Sequence, residues 1–293
     1  MKVLVFGSLN IDYTYKVHHF VQAGETVQSF KMDKNAGGKG FNQALALAKA
    51  GANPYFAGMI GQDGIFLKDL LFTHGVGVGD ITISDTPTGN AIIQVDETGE
   101  NCILLFGGAN QTVDGEKIDT VLSHFEQGDY LLVQNEISHL PMLIEKAHQK
   151  GMRIVLNPSP ITKALLEIPV SHMDTYILNE VEAEQITGAT APDDIFSFFL
   201  TRNSACKIVL TLGEKGAYYA DEGQTLFAPA KKVDAVDTTA AGDTFTGYFL
   251  HHFLQTGDVK KALTIASNAS AITVSRHGAG ESIPFYGELS PLE

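Results

Sequence analysis

The run Asp237-Thr238-Thr239-Ala240-Ala241-Gly242-Asp243-Thr244-Phe245 combines carboxylates, hydroxyls and small residues just before an apolar stretch in which Phe245, Phe249 and Phe253 recur at helical spacing. It reads as a loop entering a buried helix. Small residues let backbone approach a ligand closely, and the N–H groups of Ala240 to Asp243 at the helix start would stabilise charge on a transferring phosphoryl group. Asp243 then stands where a carboxylate can accept the proton of a substrate hydroxyl, because phosphoryl transfer rests on positioning and charge neutralisation. A plain N-cap is the structural alternative, since Asp is favoured at that position too.

Other segments carry polar groups at places suited to ligands. Gly37-Gly38-Lys39-Gly40-Phe41-Asn42-Gln43 is a glycine-rich loop at a helix start. It departs from a P-loop, because Gly38-Lys39 is followed by Gly and Asp33 stands where the first Gly should be. Gly7-Ser8-Leu9-Asn10-Ile11-Asp12 follows a first strand, and Gln134-Asn135-Glu136 ends another, which suits ligand contact at strand C-termini; Glu136 is otherwise a surface-loop residue. Asn179-Glu180-Val181-Glu182 either meets phosphates and metal or has Asn179 as a helix cap. Thr211-Leu212-Gly213-Glu214-Lys215-Gly216 permits close backbone contact with a nucleotide or is a hairpin entry. In the stretch from Thr273 to Ser282, carbonyl and hydroxyl oxygens are hard ligands for a monovalent cation or parts of a satisfied turn.

Taken together, these segments resemble the ribokinase-like carbohydrate kinase superfamily, of phosphofructokinase-B type. Residues 237–245 match its pattern D-T-x-A-A-G-D-T-F, residues 37–43 its G-G-K-G-x-N-Q loop and residues 7–12 its opening G-S-x-N-x-D, with order kept from residue 2 to about 284. The resemblance implies an ATP-dependent sugar kinase in which Asp243 is the catalytic base and the Ala240, Ala241 and Gly242 amides form the anion hole. It implies sugar contacts from Asn10, Asp12, Gly38, Lys39, Gly40, Asn42, Glu136 and Asp243, and nucleotide contacts from Asn179, Thr211, Gly213, Gly216, Gly242, Ser267 and Asn268. Glu182 would hold Mg²⁺ through water. Asp237, Thr239, Thr273, Arg276, Gly278 and Ser282 would surround a monovalent cation, with K⁺ as activator. The sugar-side residues look like the ribokinase branch, which implies conversion of D-ribose to D-ribose 5-phosphate. Alternatives are another sugar, a keto-sugar acid, a nucleoside using Tyr13, Tyr15 and Phe106 around its base, or a non-catalytic sugar-binding protein. Phe41 departs from the Ala common in that branch and puts bulk beside Asn42.

Short β-branched runs alternating with helix-period segments position these motifs. Strands are expected over residues 2–7, 55–60, 130–133, 153–157, 175–178 and 207–211, and helices over 40–50, 64–73, 141–150 and 242–255. The pattern predicts an α/β fold: a mostly parallel, Rossmann-like three-layer sheet flanked by helices, within one kinase domain over 1–293. Residues 12–35 and 88–106 break the alternation, the latter as a hairpin around Glu97-Thr98-Gly99, and predict a small β-sheet lid that excludes water. Its exposed edge would pair two copies into a homodimer. A formal charge of −14 with no basic patch argues against nucleic acid and anionic membranes. Cys102 and Cys206 are isolated, and the apolar run at residues 3–6 is too short for a membrane span, so a cytoplasmic protein is expected.

Overall fold

In the computed structural model, which describes residues 1–289, β1 (Val3–Phe6) sends Val5 to one side of a sheet and Leu4 and Phe6 to the other, and all three are fully buried. A period of two with both sides apolar requires cover on both faces. The chain continues through β2 (Asn10–Lys16), β3 (Lys31–Gly37), α1 (Lys39–Lys49), β4 (Tyr55–Ile60), α2 (Ile65–Thr73), β5 (Gly77–Ile83), β6 (Gly89–Val95), β7 (Asn101–Phe106) and α3 (Gly115–Leu122). Next come β8 (Tyr130–Gln134), α4 (Leu140–Gln149), β9 (Arg153–Asn157), α5 (Lys163–Leu166), β10 (Thr175–Asn179), α6 (Glu180–Thr187), α7 (Pro192–Leu200) and β11 (Lys207–Thr211). The hairpin β12 (Gly216–Ala220) and β13 (Thr225–Pro229), then α8 (Ala241–Thr256) and α9 (Val259–Val274), complete it.

The nine-stranded sheet has the order β13-β12-β11-β10-β9-β8-β1-β4-β5 and is parallel from β11 to β5, with β12 and β13 antiparallel at one edge. One core lies under α1, α2, α8 and α9 and is built from residues such as Phe41, Leu67, Phe249 and Leu263. The other lies under α3, α4, α6 and α7, with Ile118, Ile144, Ala183 and Phe199. This is the expected three-layer arrangement. Every strand and helix expected from the sequence is present, with ends shifted by a residue or two, as between 40–50 and Lys39–Lys49.

The two stretches that broke the alternation form a separate four-stranded sheet, β3-β2-β6-β7. β2 runs antiparallel to β3 and parallel to β6, and β6 is antiparallel to β7. Asn10 pairs with Gly37 on one side and Gly89 on the other, so this sheet springs from the end of β1 beside the glycine-rich loop. β7 is its edge and is exposed at every position. Among the described residues, no helix is long and apolar enough to cross a membrane.

Candidate active site

The C-terminal ends of the parallel strands place Ser8, Gln134, Asn157, Asn179 and Thr211 along one rim, where the starts of α1 and α8 meet them. Open α/β sheets bind ligands at that rim, because the strand ends and helix N-termini point backbone dipoles there. Ala240 adopts a left-handed conformation, φ 61°, and turns the chain into α8. The Thr244 amide then donates to the Ala240 carbonyl at 2.8 Å. The Ala241 amide, expected at the anion hole, is instead directed to the Thr238 carbonyl at 3.3 Å by the tight turn. The amides of Ala240, Gly242 and Asp243 have no acceptor among the described residues.

Asp243 is not the cap of α8; that position belongs to Ala240, whose methyl group accepts nothing. Asp243 is 8% exposed, and its carboxylate receives side-chain amides: Gln43 Nε2 donates to Oδ1 at 2.9 Å and Asn42 Nδ2 to Oδ2 at 3.0 Å. Asn42 Oδ1 and Gln134 Oε1 are buried without a partner. Unsatisfied buried acceptors are costly, and a ligand hydroxyl would satisfy them.

On the sugar side, Glu136 accepts from the Ser8 hydroxyl and from the Lys39 amide at 3.2 Å, and the Gly40 amide donates to Ser8 Oγ at 3.3 Å. Glu136 is therefore no surface-loop residue. Gly40 has to be glycine: a Cβ there would lie 2.6 Å from the Ser8 nitrogen. Gly38, with φ 93°, sits against Ser8 and Asn10 backbone. Asn10 and Asp12 project from the same side of β2, two residues apart. Asn110, which sequence reasoning missed, is fully buried; it donates to Asn10 Oδ1 at 2.8 Å and exchanges hydrogen bonds with the Leu9 backbone. Its signal is a lone Asn in the Gly107-Gly108-Ala109 turn. Phe41 is fully buried in the core, so its bulk points away from the polar cluster. Tyr13 packs against that core with Lys34 over its ring, and Phe106 is exposed on the edge strand.

Two carboxyls of this buried site, Asp12 and Glu136, are perturbed by burial and by their charged neighbours. Burial, then the charges of Glu136 and Asp243, push Asp12 up to about 7, and burial raises Glu136 as well, against the Ser8 hydroxyl and Lys39. Burial alone would lower Lys39, but Asp243, Glu136 and Glu182 outweigh it and hold the ammonium above its ordinary value. A carboxyl group whose folded value is raised stabilises the protein fully below the unfolded value of 3.8, and this contribution is lost as pH rises towards 7. Titration of Asp12 should therefore take stability from the ligand-free protein between about pH 4 and pH 7. Asp12→Asn should flatten that dependence in thermal unfolding; identical slopes would show that Asp12 does not titrate this way.

A cleft of about 1000 Å³ lies beside this cluster, lined by Thr211, Gly213, Gly216, Gly242, Phe245 and Ser267 together with Val233, Ala235, Ser270, Ala271 and Val274. A smaller hollow of about 220 Å³ shares Thr211, Thr238, Ala241 and Gly242 with it and reaches Lys39, Asn157, Asn179, Glu182 and Asp243. Asn268 is not among the lining residues. The face that α9 turns to the cleft runs 267, 270, 271, 274, and residue 268 is rotated about 100° from it. Asn179 does cap α6, in a reciprocal box with Glu182, so the structural alternative holds while both residues also line the hollow.

Among the described residues, no group of three or more His, Cys, Asp or Glu is arranged to hold a metal. Glu182, a carboxylate lining the smaller hollow, fits Mg²⁺, which keeps several waters and needs few protein ligands. The Asp237 carboxylate accepts from the Thr239 amide at 2.9 Å and the Gly278 amide at 3.0 Å, tying two loops together. Ser282 Oγ donates to the Ala279 carbonyl, Thr273 Oγ1 lies against Thr244 and Ala269 inside the helix pair, and the Arg276 side chain turns out to Glu288.

The chain matches the model of the pfkB family carbohydrate kinases over residues 1–285. It is 35% identical to a ribokinase of Staphylococcus aureus, covering 99% of each chain. A ribokinase from Cryptococcus neoformans solved in complex with ADP superposes with a TM-score of 0.85 at 35% identity, covering 98% of each chain. An Arabidopsis thaliana ribokinase complexed with ribose and ATP gives 0.84 at 26% identity, over 98% of this chain and 97% of that one. With its fold, motifs and whole-length similarity in agreement, the chain belongs to the pfkB family of carbohydrate kinases.

Proposed function

We propose that this carbohydrate kinase transfers the γ-phosphoryl group of ATP to the primary hydroxyl of D-ribose, giving D-ribose 5-phosphate, with Asp243 as base. The observation that carries the reading is a buried carboxylate at the junction of the sugar-side polar cluster and the large cleft. ATP fits the cleft, with apolar Val233, Ala235 and Ala271 for its base and the free amides of Ala240 and Gly242 near its phosphates. Asn10, Asp12, Asn42 and Glu136 orient the sugar, and Asp243 takes the proton of its hydroxyl. Lys39 and the amides offset charge as the phosphoryl group moves. Glu182 would hold Mg²⁺ through water, and the metal would supply further charge neutralisation when bound. Asp237 and the carbonyls of residues 273–282 would hold K⁺, which would supply positive charge near the loop that presents the amides. Release of ADP should be measured across pentoses, hexoses, keto-sugar acids and nucleosides, with and without K⁺. Ribose turnover that rises with K⁺ is expected; preferred turnover of another compound would move the substrate, and equal rates without K⁺ would remove the cation.

The small sheet, from residues 12–35 and 88–106, acts as a lid over the sugar and as the contact of a cytoplasmic homodimer. Ile103, Leu104, Leu105 and Phe106 are exposed at 58%, 68%, 52% and 51% on an unpaired edge, a combination that favours pairing with a second copy. Leu104→Glu should shift the protein from dimer to monomer in sedimentation at micromolar concentration. A wild-type monomer would contradict the dimer.

A further inference from the structure

A buried chain of side-chain amides stands behind Asp243. Gln43, fully buried on α1, donates from Nε2 to Asp243 Oδ1 at 2.9 Å and to Asn157 Oδ1 at 3.4 Å, while its Oε1 accepts from Gln134 Nε2 at 2.6 Å. Asn157, at the end of β9, donates from Nδ2 to the Ile177 carbonyl at 2.9 Å. A main-chain carbonyl only accepts, so the Asn157 oxygen is the atom left to face Gln43. That fixes the Gln43 amide. Turned over, it would set a carbonyl oxygen against the carboxylate and an NH₂ against that of Gln134.

The two oxygens of Asp243 are therefore held differently. Every polar atom of Gln43 is engaged by a partner on a neighbouring element. Asn42, which serves Oδ2, keeps its own Oδ1 without a partner and can turn its amide to a ligand hydroxyl. Asp12 from β2, Glu136 after β8 and Lys39 from α1 are the charged groups near enough to feel the charge of this carboxylate.

We propose that Gln43 is the positioning residue of the base: it anchors Asp243 Oδ1, leaving Oδ2 as the oxygen that takes the proton. This rests on the phosphoryl-transfer reading above. As the sugar oxygen bonds to the γ-phosphorus, its proton passes to Oδ2. The bond from that phosphorus to the β–γ bridging oxygen breaks, and the electron pair leaves with ADP.

The test compares Gln43→Met, Gln43→Glu and Asp243→Asn with wild type, in kcat, ribose KM and the pH profile of kcat. Losing one charge-assisted hydrogen bond should lower kcat ~10- to 100-fold in Gln43→Met, with ribose KM within about twofold. The acid limb of its profile should move to higher pH, because the carboxylate has lost a donor that favoured its charged form. Gln43→Glu, which sets a second carboxylate against Asp243, should show the larger loss and the larger displacement. Should Gln43→Met fail to fold, Gln43→Asn withdraws the amide by one methylene and carries the same comparison. A folded variant with wild-type kcat and profile overturns the proposal, as does an equal change in kcat and KM with the profile unmoved, which is the mark of packing alone. An inactive Asp243→Asn beside normal Gln43 variants sinks only the positioning role, whereas an active Asp243→Asn sinks the base itself.

Discussion

Asp243→Asn is expected to lower kcat by about 10²- to 10⁴-fold while ribose affinity changes only a few-fold. The asparagine has the shape of the native side chain but cannot accept the hydroxyl proton. It also presents an NH₂ to one of the two donors, Gln43 or Asn42, that now converge on the carboxylate. Binding survives because Asn10, Asp12 and Glu136 remain, so the loss should fall on kcat and not on KM. Steady-state ADP release together with titration calorimetry separates the two. Wild-type turnover in this variant would remove Asp243 from the chemistry.

Gly247→Ala is expected to damage both stability and rate. One helical turn beyond Asp243, Gly247 is where α8 presses against α1, and a Cβ there would lie 2.5 Å from Ala46 Cβ and 2.7 Å from the Leu47 nitrogen. The second of these is backbone, so no side chain can swing away and the helices must part. Overpacking of this kind costs about 1–3 kcal/mol, only partly offset by the better helix propensity of Ala. Asn42 and Gln43 lie one turn from Ala46 and Leu47 on α1, so the same displacement lengthens both hydrogen bonds to Asp243. A misplacement approaching 1 Å costs on the order of 100-fold in rate. Thermal unfolding and kcat should fall together; a variant as stable and active as wild type would show that the helices do not pack this closely.

How much of this could be read from the chain depends on what each signal measures. The run at Asp237–Phe245 is local: small residues, a carboxylate and a helical Phe repeat are contiguous, and the structure sets them at the start of α8. The parallel strands were legible because they are buried on both faces and read as unbroken apolar runs. β5 was not read, since Gly77, Gly79 and Asp80 are poor strand formers, and β12 and β13 were missed where they follow the glycine turn. α9 escaped because its Ala, Ser and Thr residues give no strong apolar stripe. In the site, Gln43, Gln134 and Asn157 come from α1, β8 and β9, and their hydrogen bonds to one another exist only after the strands are assembled. The same holds for Asn110, which meets Asn10 across 100 residues of chain. The orientation of the Ala241 amide depends on a single left-handed residue, Ala240, which no propensity would assign to that conformation.

The most direct measurement is ³¹P NMR of the purified protein incubated with ATP, Mg²⁺, K⁺ and D-ribose, read against the same mixture containing Asp243→Asn. The expected result is ADP and a phosphate monoester on the ribose primary carbon, formed by wild type and nearly absent with the variant. Measurable ribose binding without any phosphorylated sugar, from ribose or from the other sugars and nucleosides in the panel, would contradict it.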